Sequence, residues 1–167
     1  MAKSFIYEYI PDYAKNFLYY CRNIKNMSEK TVNEYYLDLR IFFRYLKIYK
    51  TDFNSSIPFN EIDASDVKID VLEKINLTDL YEYLNYINIE RNENVAARNR
   101  KISSLKSFFK YLCKQGLLDN NPTTYLDAPK KPKELPIYLS IEECMALLEN
   151  IDGTNKIRNY ACLLYTS

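Results

Sequence analysis

The sequence predicts an all-α fold: a bundle of four to five helices, then an extended linker, then the first helices of a second domain. Three observations predict it. Apolar residues recur at three-and-four spacing through most of the chain, as in helices with one buried face. Only two glycines are present, too few for the turns of a sheet protein. Four prolines, Pro122, Pro129, Pro132 and Pro136, fall close together, which forbids a helix there and favours an extended segment. With 167 residues, 47% of them apolar and 27% charged, the chain has material for one domain of about 130 residues plus the beginning of another.

A first helix is expected over residues 11–25. Pro11 suits a first helical turn, and Tyr13, Phe17, Leu18, Cys21 and Ile24 share one face. Ser28, followed by Thr31, is an acceptable N-cap for a second helix to about Tyr49, although it lacks the glutamate of a full capping box. Its stripe is Val32, Tyr35, Tyr36, Leu39, Phe42, Phe43 and Leu46, with Glu34, Asp38, Lys47 and Lys50 elsewhere. Residues 51–66 read as a long loop around Pro58. Residues 67–75 fit a short strand or one helical turn, and a short irregular segment is preferred. Thr78 is expected to cap a third helix, with Asp79 in its first turn and Leu80, Tyr83, Leu84, Tyr86 and Ile87 inward. A fourth helix starts at Val95, buries Ile102, Leu105, Phe108, Phe109 and Leu112, and stops at Gly116, a good C-cap residue. After the linker, Ser140 and Glu143 form a capping box for a helix to about Asn150, and another helix begins at Lys156.

Several chemistries are excluded by composition. The chain has no histidine, which removes serine and cysteine nucleophile systems built on imidazole, and HExxH metal sites. Two glycines cannot build a phosphate-cradling GxGxxG or GxxxxGK[ST] loop. Cys21, Cys113, Cys144 and Cys162 stand far apart without a CxxC pair, so free, mostly buried thiols are expected, with neither a zinc site nor a disulfide framework. No metal, cofactor or small-molecule substrate is implied. No apolar run reaches the ~20 residues of a membrane span, and residues 1–25 lack a signal-peptide apolar region, so a cytoplasmic location is expected.

Charge is distributed unevenly although the net is +1. Residues 51–94 carry three basic and ten acidic side chains, net −7; residues 95–133 carry nine basic and two acidic, net +7. That basic density is expected where a polyanion is held. On the fourth helix Arg100, Ser103, Lys106, Ser107 and Lys110 share the side opposite the apolar stripe. Small hydroxyl residues beside long cations let such a face approach phosphates closely.

The order of these pieces resembles the tyrosine recombinases, particularly their Xer and phage-integrase branch. The second helix, from Ser28-Glu29-Lys30-Thr31 to Phe42-Phe43-Arg44-Tyr45-Leu46, is similar to the family pattern S-x-x-T followed by an aromatic pair before Tyr-Leu. The stretch Arg98 to Leu112 resembles the family's R-x-l-s-x-l-[RK]-x-f-[FY]-x-y-l segment. Asn121-Pro122, the run Pro129 to Ser140, and Glu142-Glu143 resemble its interdomain join. The resemblance implies an orthogonal, SAM-like core-binding domain over residues 1–127, a basic proline-rich linker over 128–138, and the truncated start of a catalytic domain over 139–167. It implies double-stranded DNA and other recombinase subunits as partners. Expected DNA-binding residues are Ser28, Lys30 and Thr31 on the second helix; Arg98, Arg100, Lys101, Ser103, Lys106, Ser107 and Lys110 on the fourth; and Lys130, Lys131 and Lys133 in the linker.

The same resemblance implies catalysis by two arginines, a lysine, histidines and a late tyrosine nucleophile. The first arginine belongs to a G-[LM]-R motif after the helix that opens Lys156-Ile157-Arg158-Asn159-Tyr160-Ala161, and the sequence ends at Ser167 without it. None of the seventeen tyrosines occupies the nucleophile's place, and Cys162 to Ser167 fall short of the family spacing, as a truncated or non-native tail would. The expectation is a DNA-holding fragment, inactive alone, with no catalytic residue of its own. On the residues alone, a helical DNA-binding accessory or regulatory protein and a protein-protein module with a solvated basic face stay open.

Overall fold

The computed structural model describes residues 7–51, 53, 56–91, 94–129 and 140–166. Among these residues the chain is all helical, with no strand: α1 Asp12–Asn23, α2 Glu29–Tyr49, α3 Ile69–Glu73, α4 Leu77–Ile89, α5 Val95–Lys114, α6 Ile141–Glu149 and α7 Lys156–Thr166. It divides into two compact units, Met1–Lys131 and Pro132–Ser167.

Local chemistry sets most helix ends of the first unit. The Pro11 carbonyl accepts from the Ala14 and Lys15 N–H groups and so opens α1. Asn26, at φ 49°, then reverses the chain, and the Met27 N–H returns to the Cys21 carbonyl. Ser28 Oγ accepts from the Thr31 N–H at 3.2 Å to start α2. The cap of α4 is Asn76 rather than the expected Thr78. Asn76 Oδ1 accepts from the Thr78 and Asp79 N–H groups, and Asp79 Oδ2 accepts from the Asn76 N–H. This reciprocal box outcompetes a lone threonine because it satisfies orphan N–H groups from both sides. Asn94 Oδ1 caps α5 through the Ala97 N–H. At the other end Gly116 takes φ 68°, with the Leu117 N–H on the Leu112 carbonyl and the Gly116 N–H on the Cys113 carbonyl. That is the Schellman arrangement the glycine predicts.

Residues 69–73 form a short helix, not the irregular segment expected. Ile69 and Val71 lean on the core and Leu72 enters it, so burial overrides their β-branched preference. The preceding loop is tied to α2 by polar contacts. Arg44 Nε donates to the Ile62 carbonyl at 2.9 Å, and Lys47 Nζ donates to the Asp63 carbonyl at 2.7 Å and Asp66 Oδ1 at 2.6 Å.

The core is aromatic and centred where α1, α2, α4 and α5 meet. Phe108 of α5 has ring centroids 5.3 Å from Phe17 and 5.8 Å from Phe43, while Phe42 lies 5.1 Å from Tyr83 and 6.1 Å from Phe109. Edge-on pairs of this kind add about 0.5 to 1.5 kcal/mol each beyond their burial. Most of the stripes read from the sequence are buried; Tyr13, Tyr35, Tyr36, Leu84 and Tyr86 are half-buried against the core, and Ile24 is exposed at the end of α1. Of the four cysteines only Cys21 is buried, against the expectation of mostly buried thiols; Cys113 and Cys144 are half-buried and Cys162 is exposed. Burial pushes the Cys21 thiol up to about 11.

In the second unit Ser140 and Glu143 form the expected capping box, with Ser140 Oγ accepting from the Glu143 N–H and Glu143 Oε2 accepting from the Ser140 N–H. No helix of the described residues is long and apolar enough to cross a membrane.

Candidate nucleic-acid interface

Two helices carry the expected contact residues of the first unit. Ser28, Lys30 and Thr31 occupy the N-terminal turn of α2; the rest lie along α5, which at 1.5 Å per residue is about 30 Å long. The helices pack directly on each other within the first unit.

A buried ion cluster holds them in register. Asp38 of α2, off the apolar stripe by periodicity, is 1% exposed. Its Oδ1 accepts from Lys101 Nζ at 2.9 Å and its Oδ2 from Arg100 Nη1 at 2.8 Å. Burial pushes the Asp38 carboxyl up from the ordinary aspartate value, against the opposing pull of Lys101 and Arg100. Arg100 Nη1 also meets Glu34 Oε2 at 2.8 Å and the Glu34 carbonyl at 3.2 Å. Asp38 and Glu34 were not among the expected site residues. The available signal was a carboxylate pair one turn apart, bordering the stripe of a helix whose partner carries adjacent cations.

The cluster separates the basic residues into two kinds. Lys101, expected among the DNA-binding residues, is 3% exposed with its ammonium 2.9 Å from Asp38 Oδ1, so as folded its charge is engaged inside the protein. Arg100 is held by one edge only. Its Nε and Nη2 have no hydrogen bond among the described residues, and its side chain is 35% exposed. Ser103 and Lys110 are exposed, Lys106 and Ser107 half-buried, and neither lysine has an ion pair among the described residues. Ser103 Oγ donates to the Asn99 carbonyl at 2.9 Å, folding its hydroxyl against the helix. Arg98 is half-buried, and its Nε is a buried donor without a partner among the described residues. Lys30 is exposed, while the hydroxyls of Ser28 and Thr31 lie 2.8 Å apart, engaged in the cap. Lys130, Lys131 and Lys133 lie outside the described residues.

Comparison with known proteins decides the family. The chain is 43% identical over 92% of its length to the tyrosine recombinase XerC of Caldanaerobacter subterraneus. It belongs to the tyrosine recombinase family. Two further members extend the match: the tyrosine recombinase XerC of Leptospira interrogans, 30% identical over 98% of the chain, and the tyrosine recombinase XerD of Oceanobacillus iheyensis, 29% identical over 89%. The chain spans 44 to 49% of the length of these recombinases. No family model matches the chain, and no solved structure matches it. In this recombinase chain the α2–α5 surface offers cations and hydroxyls, groups that neutralise and position phosphates.

Proposed function

We propose that this chain is the DNA-gripping part of a site-specific tyrosine recombinase, holding duplex DNA with the N-terminal turn of α2 and the outer face of α5. The observation that carries the reading is the uncompensated charge of α5. Lys106 and Lys110 have no carboxylate among the described residues, and Arg100 beside them keeps one guanidinium edge unbonded. Unpaired cations on one face raise the local potential for a polyanion. Arg98, Arg100, Ser103, Lys106, Ser107 and Lys110 would contact phosphates together with Ser28, Lys30 and Thr31, and Lys130, Lys131 and Lys133 would extend the grip along the linker.

In this reading residues 1–127 form the core-binding domain, 128–138 the linker and 139–167 the start of the catalytic domain. The strand exchange of the family, its other subunits on DNA and a cytoplasmic location belong to the same proposal. These side chains bind ground-state phosphates and offer no nucleophile matched to an acid or base, so they contribute affinity and not rate.

The test is a salt series of fluorescence-anisotropy titrations with a random-sequence duplex. Binding should weaken steeply as salt rises. Lys106→Ala should weaken it across sequences and lower the slope of log K against log salt by about one, with melting temperature unchanged. Binding indifferent to salt, or none at low salt, would remove the reading.

A further inference from the structure

We propose that Glu34 is a specificity-determining residue of this interface: its carboxylate occupies Arg100 in the free protein and restrains that arginine from seizing any phosphate it meets. The inference rests on the DNA-binding reading above. Arg100 Nη1 is shared between two carboxylates of opposite character. Asp38 is buried and also held by Lys101, so it is a fixed anchor. The Glu34 side chain is 36% exposed, and Arg100 is its one ion-pair partner among the described residues, so it can be displaced. The electrostatic cost of displacing an exposed pair is small, whereas breaking a buried one is not.

The position of Glu34 makes this consequential. It lies one helical turn beyond Lys30 on α2, at i+4, so it shares the side that carries the expected phosphate contacts. A phosphate approaching the open edge of Arg100 meets a like charge 2.8 Å from the guanidinium. A base edge presenting an amino donor, such as cytosine N4, satisfies the displaced carboxylate instead of repelling it. The glutamate therefore weakens binding to arbitrary DNA while tolerating a site that offers a donor in the right place.

The experiment compares wild type with Glu34→Gln on a random-sequence duplex over a range of salt, with thermal melts alongside. The glutamine should bind about two- to fivefold tighter, the scale of one half-exposed ion pair. Its salt slope should steepen, because the like charge that opposes phosphates at Arg100 is removed. Glu34→Ala should move in the same direction, which covers any perturbation specific to glutamine. Equal or weaker binding by both variants, with wild-type melting temperature, overturns the proposal and leaves the DNA-binding reading intact. Failure of the wild type itself to bind at low salt overturns both.

Discussion

Asp38 shows what one buried residue decides here. By periodicity it sits off the apolar stripe of α2, as a solvated side chain would, yet it is almost wholly enclosed because α5 covers that side of the helix. Its two oxygens then gather Arg100 and Lys101, which adjacent numbering on a basic helix marks as equivalent and the fold makes different. Removing the carboxylate takes a buried partner from both Lys101 and Arg100, so Asp38→Ala should cost about 3 to 5 kcal/mol in urea denaturation. Replacing the pair together, Asp38→Leu with Lys101→Met, should recover most of that loss, since a well-packed apolar pair avoids the desolvation both charges suffer. A single mutant as stable as wild type would show that the cluster is ornamental to stability.

At the scale of the element, helix ends were legible where a familiar capping pattern stands in the sequence, although the Asn94 cap of α5 was not read. Ser28, the Ser140–Glu143 box and Gly116 each act through their nearest neighbours, and each is where the sequence puts it. Thr78 was misread because Asn76 and Asp79 cap each other with an asparagine–aspartate pair, which lacks the Ser/Thr-x-x-Glu pattern that marks the Ser140–Glu143 box. Asn76→Ala should therefore lower stability by about 0.5 to 2 kcal/mol, measured by thermal melting, whereas Thr78→Ala should change it little. Comparable losses at both positions would return the cap to Thr78. α3 escaped detection for a different reason: five residues are too few to show a period, and its helical form comes from burying Leu72.

Across the whole molecule, polar ties between distant segments should set the response to acid. Burial of Asp79 pushes its carboxyl up, but the bonds from Lys50 and from the Asn76 N–H outweigh this and leave it below the ordinary value. Asp63 is lowered by the Ser65 N–H. Groups lowered in the folded state contribute stability that is present above the unfolded value, about 3.9, and lost as pH falls through the folded one. The melting temperature should fall between about pH 5 and pH 2, and Asp79→Asn should be less stable at neutral pH with a shallower fall. An unchanged acid slope in that variant would exclude the Lys50–Asp79 tie as its source. The sequence by itself determined the helical class, the buried stripes, most caps, the basic character of α5 and the resemblance to recombinases, because each follows from spacing along one segment or from composition. Only the tertiary structure decided that Lys101 is spent on Asp38, that Arg100 keeps one edge unbonded, and that Glu34 stands against it. Those outcomes depend on which side of α2 meets α5, and helical periodicity states that a face exists without stating what covers it.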